Sequence, residues 1–252
     1  MDSADRTDLI VSRLRETGEV TVTELAELTD HSEMTIRRDL DQLAAQGVLR
    51  RVRGGAVSLV PRGQEAPYAL RERQSAEAKR RIAAAVGELI GPGSAVVLGG
   101  GTTAAEVARV LAGRAITVMP LGLQAAQLLS ADRATKVLMA GGEVRPTELS
   151  LHGPLAEASL DAVRFDVAVL GCCGITVGDG ITAHDLGEVA VERAAMRSSR
   201  RTVLAADSTK LGQVTMGRVG PVTAIDTLVT DSAAPDGIVA DLQAAGVTVV
   251  RA

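Results

Sequence analysis

The sequence predicts two domains: a small, mainly helical one carrying a β-hairpin, and a larger α/β one built on a mostly parallel sheet covered by helices. Three observations predict it. Through the first sixty residues or so, apolar positions recur at helical spacing between capping residues, then give way to a short stretch alternating around paired glycines. After them, "LVPRGQEAP" breaks the periodicity with two prolines and a glycine, the composition of a connector. From about residue 76 onward, strand-length runs of Val, Leu and Ala alternate with Ala-rich helical patterns. Strands written as near-continuous apolar runs are buried on both faces, which is the mark of a parallel sheet. The expected domains are therefore 1–58 and 76–252, joined by a linker over 59–75 with an easy protease cut at Arg62–Gly63.

Composition narrows the possibilities. With 252 residues, 46% of them apolar, there is material for two cores. Aromatics make up only 1%, Tyr68 and Phe165 with no Trp, so the cores must be aliphatic. The same scarcity argues against sequence-tolerant single-strand binding, which needs stacking platforms. The two cysteines, Cys172 and Cys173, are adjacent, so no disulfide framework is implied and a reducing cytoplasm fits. "MDSADRTDL" is acidic and polar with no signal core, and no stretch approaches the roughly 18 uncharged apolar residues of a membrane span. The expectation is a cytoplasmic protein with no membrane partner.

Three helices are expected in residues 1–47. The first covers 6–16, with Leu9, Ile10 and Leu14 inward and Gly18 just past its end. The second starts at "TVTELAEL", where Thr21 and Glu24 have capping-box spacing. A break at "TDH" follows, with His31 as a turn residue. Ser32 then caps the third helix, whose Ile36, Leu40 and Leu43 fall at i, i+4 and i+7, and Gly47 ends it. That register turns Glu33, Met34, Thr35, Arg37 and Arg38 outward near the helix start. "VLRRVRGGAVSL" then reads as a β-hairpin.

Charge is segregated within this module although the chain is net −4. Residues 1–30 carry three Arg against eight acids, whereas 31–62 carry six Arg against three. Two short helices, a tight break and a third helix with an outward first turn make a helix-turn-helix, with the hairpin as a wing. The start of such a third helix reaches base edges in the major groove. Arginine pairs bidentately with guanine, and Thr or Met touches a thymine methyl. Arg50, Arg51 and Arg53 on the wing are expected on phosphates, which fix register while base contacts specify. The expected DNA-contacting set is thus Ser32, Glu33, Met34, Thr35, Arg37, Arg38, Arg50, Arg51 and Arg53. A solvated helix face with Arg–Asp pairs is the bland alternative, and the coincidence of cap, break, periodicity and wing argues against it.

The stretch "VTVTELAELTDHSEMTIRRDLDQLAAQGVLRRVRGGA" closely resembles the winged helix-turn-helix of the DeoR family of bacterial transcription regulators. Arg53 stands where that family usually has His before Gly-Gly-Ala. The resemblance continues through "PYALRERQSAEAKRRIA", "GGGTTAAEVA", "GGEVRP", "GPLAEASL", "GITVGDGIT" and "ADSTKLG", in family order. It implies a second domain resembling the sugar-phosphate isomerase and coenzyme A transferase fold, which in this family typically senses phosphorylated sugars or related intermediates.

The residues of that domain point to an anion site on their own chemistry. Gly99, Gly100, Gly101, Thr102 and Thr103 follow an apolar strand and open a helix. Glycines let backbone amides approach an anion, the helix start favours negative charge, and two hydroxyls add donors. No Gly-Lys-Ser/Thr follows, so this is not a nucleotide-hydrolysing loop. Asp207 and Lys210 in "ADSTKLG" also follow a strand, with Lys210 suited to a phosphate and Asp207 to a sugar hydroxyl. Gly99, Met119-Pro120 and Glu192 stand where the family usually has Asp, Thr-Asn and Lys, which leaves the identity of the effector open.

No metal site is expected, because His152 and His184 lack ligand spacing to Cys172 and Cys173. No cofactor and no catalytic residue are expected either. The leading function is a sequence-specific regulator of double-stranded DNA, a homo-oligomeric repressor whose operator affinity responds to a small phosphorylated metabolite. One rival is a sugar-phosphate isomerase or transferase with an accessory DNA-binding module, whose available carboxylates would be Asp179, Asp207 and Glu192. The other is a regulator with no effector.

Overall fold

The computed structural model describes residues 3–45, 47–59, 67–146 and 148–252. The chain forms two compact units, Met1–Gln74 and Ser75–Ala252.

The first unit runs α1 (Ser3–Thr17), β1 (Glu19–Thr21), α2 (Val22–Thr29), α3 (Glu33–Ala45), β2 (Leu49–Val52), β3 (Gly55–Ser58) and α4 (Tyr68–Arg73). Its core is aliphatic, as the composition requires: Ile10, Val11 and Leu14 meet Leu25, Ile36, Leu40, Leu43, Leu49 and Leu70. Leu9 is only half-buried, and Val11 takes the inward place beside Ile10. Half of the expected capping box forms. The Glu24 amide donates to Thr21 Oγ1 at 3.1 Å, while the Glu24 carboxylate accepts from Arg13 Nε at 2.9 Å. Gly54, at φ 79°, turns β2 back into β3. The wing is a three-stranded sheet of order β1-β3-β2, with β1 an addition to the expected hairpin. A Cβ at Gly55 would lie 2.1 Å from the Val20 carbonyl oxygen, so only glycine lets β1 and β3 approach.

Part of the expected linker is helical. Leu70 in α4 is buried in the first unit's core, and the Arg71 guanidinium lies 5.8 Å from the centroid of the Tyr68 ring. The turn-forming composition ends at Pro67, the residue just before this helix. Residues 60–66, which hold the Arg62–Gly63 bond, lie outside the described residues.

The second unit runs α5 (Ala76–Glu88), β4 (Ala95–Leu98), α6 (Thr102–Leu111), β5 (Thr117–Pro120), α7 (Leu123–Leu129), β6 (Lys136–Val137), β7 (Glu143–Arg145), β8 (Ser150–His152) and α8 (Pro154–Asp161). It continues with β9 (Phe165–Leu170), β10 (Gly174–Thr176), β11 (Gly180–Ala183), α9 (Leu186–Arg197), β12 (Ser199–Ala205), β13 (Gly217–Gly220), β14 (Thr227–Thr230), α10 (Asp236–Ala244) and β15 (Thr248–Arg251).

Seven strands form one sheet of order β15-β14-β12-β9-β4-β5-β6, parallel throughout. Alternate residues of each strand serve opposite faces. Val96 and Leu98 of β4 join the core under α5, α6 and α7, whereas Val97 joins the core containing residues of α8, α9 and α10. Both faces are therefore covered, as the unbroken apolar runs require. A three-stranded antiparallel sheet, β10-β11-β13, and the β7–β8 ribbon sit outside the main sheet. Among the described residues, no helix is long and apolar enough to cross a membrane.

Candidate nucleic-acid interface and ligand crevice

In the first unit, α3 divides its side chains by register. Ile36, Leu40 and Leu43 are almost fully buried, and so is Asp39, whose carboxylate accepts from Arg6 Nε at 2.6 Å and from Nη2 at 3.2 Å. This buried pair ties α1 to α3 and turns Asp39 away from the solvent face.

The first turn of α3 is held by its own polar groups. The Thr35 amide donates to Ser32 Oγ at 3.2 Å, and the two hydroxyls are 2.9 Å apart. Glu33 accepts from Arg37 at 2.7 Å and from Thr23 Oγ1 of α2 at 3.3 Å, bridging the turn. The outward face presents Met34, Arg37, Arg38, Asp41, Gln42 and Ala45 along one shallow groove. These positions follow helical spacing, so they form a continuous stripe.

The three wing arginines separate. Arg50 and Arg53 are exposed, while Arg51 is partly buried. Arg51 Nε donates to Asp41 at 2.9 Å, and its Nη1 donates to the Gly55 carbonyl at 2.8 Å. Arg51 thus braces the wing against the outward half of α3. Asp41 was not singled out from the sequence, although its spacing from Arg37 and Arg38 puts it on their face. His31 Nδ1 lies 2.6 Å from the Thr29 carbonyl oxygen, in the turn where it was expected.

In the second unit, strand order reverses once. From β4 the chain builds outward through β5 and β6, then returns to the other side of β4 with β9, β12, β14 and β15. The reversal falls between β4 and β9, and the carboxyl ends of strands at such a reversal are where open α/β sheets take ligands. Gly99, Gly100 and Gly101 leave β4 there; Gly101 has φ 89° and stands at the N-cap of α6 without a side-chain cap. Thr102 is buried and Thr103 half-buried in the first turn of α6. Across the reversal, Gly171, Cys172 and Cys173 leave β9, and the two cysteines form no disulfide.

The β7–β8 ribbon supports the glycine loop. A Cβ at Gly100 would come 3.2 Å from Ser150 Cβ, and the Leu151 amide donates to the Leu121 carbonyl at 2.7 Å. Leu149 adopts φ 52° where the ribbon enters β8. Arg145 of β7 reaches Glu188 of α9 at 3.4 Å. Sequence reasoning gave neither Ser150 nor Arg145 a role, since nothing local marks a three-residue strand.

Asp207 and Lys210 lie beyond the end of β12, one strand from β9. Asp207 is 3% exposed and accepts from the amide and the hydroxyl of Thr209, so it caps the short 3₁₀ turn Ser208–Lys210. Lys210 is half-buried, and the turn is docked on β10 by a Gly212 amide to Ile175 carbonyl bond of 2.9 Å. The loops after β4, β9 and β12 therefore share one edge of the sheet. Met119 and Pro120, both buried, pair with Val97 and Leu98 at the β5 side of that edge. Asp179 sits in the exposed turn between β10 and β11, bonded to Thr176. Among the described residues, no group of three or more His, Cys, Asp or Glu side chains could hold a metal ion.

The first unit has the fold of winged helix-turn-helix DNA-binding proteins, and the second is a doubly wound α/β domain whose strand order reverses between β4 and β9. Two family models cover them: "DeoR-like helix-turn-helix domain" matches residues 6–62, and "DeoR C terminal sensor domain" matches residues 74–232. The chain belongs to the DeoR family of transcription regulators. It is 32% identical to the HTH-type transcriptional regulator GlpR of Haloferax volcanii, over 98% of this chain and 97% of that one. It is also 32% identical to the glycerol-3-phosphate regulon repressor of Escherichia coli K12, over 93% of each chain. Among solved structures, ribose 5-phosphate isomerase A of Methanocaldococcus jannaschii is similar over 55% of each chain, at 18% identity and a TM-score of 0.42.

Proposed function

We propose that this DeoR-family chain is a cytoplasmic, homo-oligomeric repressor of sequence-specific operators, relieved by a small phosphorylated metabolite held in the second unit. The observation that carries the reading is the outward stripe of α3. An acidic chain places Met34, Arg37 and Arg38 on one exposed helix face, beside a wing whose Arg50 and Arg53 are also exposed. Ser32 and Thr35 shape the helix start, Glu33 orients Arg37, and Arg51 positions the wing. Arg50 and Arg53 are assigned to phosphates, and Arg38 with Arg37 to base edges. Paired half-sites call for at least a dimer.

For the ligand, the amides at the start of α6, the hydroxyls of Thr102 and Thr103 and the Lys210 ammonium suit a phosphate. A relative named for a glycerol-3-phosphate regulon accords with a small phosphorylated polyol. Catalysis is not part of this reading. Asp207 caps a turn and Asp179 is held in another, which leaves them poorly placed as acid or base.

Sequencing the duplexes that full-length protein selects from a randomised pool, with and without a panel of phosphorylated metabolites, tests both halves. A defined motif lost in the presence of one metabolite supports the reading; binding with no sequence preference overturns it.

A further inference from the structure

Met34 is 76% exposed, the most of the large apolar side chains among the described residues. The fold gives it no packing task, since the core of its unit is supplied by the opposite face of α3 through Ile36, Leu40 and Leu43. It opens the stripe that continues with Arg37, Arg38, Asp41 and Gln42, and it is the sole apolar side chain in the first two turns of that stripe. The other first-turn residue with a methyl group, Thr35, is half-buried and bonded to Ser32 through its hydroxyl and its amide. A bare apolar group beside two guanidiniums matches one feature of the major groove, where thymine alone presents a methyl among donors and acceptors. The unbranched, polarisable thioether can follow that methyl without a fixed rotamer.

We infer that Met34 is a specificity-determining residue that reads thymine through its 5-methyl group. The inference rests on the proposed entry of α3 into the groove. It is tested with a duplex selected by the full-length protein, resynthesised with deoxyuridine replacing thymidine one position at a time. Deoxyuridine keeps every pairing edge and removes only the methyl. The unaltered protein is expected to lose about fourfold in affinity at one thymine of each half-site, the effect of exposing roughly one methyl group. Met34→Ala should bind the thymine duplex more weakly by about that factor and bind both duplexes equally. Met34→Leu, which keeps an apolar side chain, should keep the preference. The inference is overturned if the unaltered protein is indifferent to every substitution, if no thymine recurs in the selected half-site, or if Met34→Ala discriminates undiminished. Failure to select any sequence would instead remove the groove-entry reading on which it stands.

Discussion

The arginines of the first unit differ in what already engages them. Arg37 shares its charge with Glu33, Arg51 is bonded to Asp41 and Gly55, and Arg6 is buried against Asp39. Arg38 and Arg53 stand exposed on helix and wing. Arg38→Ala should therefore cost about 1–3 kcal/mol on the selected operator and little on unrelated DNA. Arg53→Ala should weaken all duplexes alike and lower the salt-dependence slope by about one. Fluorescence anisotropy across a salt series distinguishes these outcomes. Asp39→Ala belongs to stability. It removes the Asp39 carboxylate from Arg6, a residue only 7% exposed, and denaturant unfolding should show a loss of about 2 kcal/mol.

Between elements, the contacts that join α3 to the wing set how the two meet a duplex. Asp41→Asn and Arg51→Ala should each lower operator affinity two- to fivefold, the scale of a solvent-accessible ion pair, without changing the salt slope. The double variant should be no worse than either alone, because both remove one brace. Gly55→Ala forces a Cβ against the Val20 carbonyl and should cost about 3 kcal/mol by chemical denaturation. The sequence made the helices and the main sheet plain. The apolar runs read as strands from residue 76 onward lie in the parallel sheet, because burial on both faces writes an unbroken apolar signal. β1, β7, β8, β10, β11 and β13 were missed. They are three or four residues long, too short to show a period, and for β1 and β13 the partners also lie far along the chain, as Thr21 pairs with Gly55 and Thr182 with Arg218. The glycine loop and Lys210 were legible for the same local reason as the strands they follow. Arg51 was legible as a basic residue but not as a brace, since Asp41 meets it only after the chain turns back.

Across the whole molecule, repression and relief need coupling between ligand and operator, and coupling is reciprocal. A metabolite lowers DNA affinity only if it binds the DNA-free form more tightly, and then DNA lowers metabolite affinity by the same factor. At one hundred times its dissociation constant, a ligand for the native form adds about 2.7 kcal/mol of stability, a rise of roughly 5–10 °C in the unfolding midpoint for a domain of this size. A panel of phosphorylated metabolites screened by thermal shift should therefore reveal the effector. Lys210→Met should weaken it by about tenfold or more through loss of a charged hydrogen bond, while operator affinity without metabolite stays unchanged. The decisive measurement is the closed cycle: ligand titrated into protein and into the protein–operator complex, operator titrated with and without ligand. A ligand effect on operator affinity that is lost in Lys210→Met, at concentrations where that variant no longer binds, would establish the second unit as the sensor. A silent panel, with operator binding intact, would instead make that unit a scaffold for assembly.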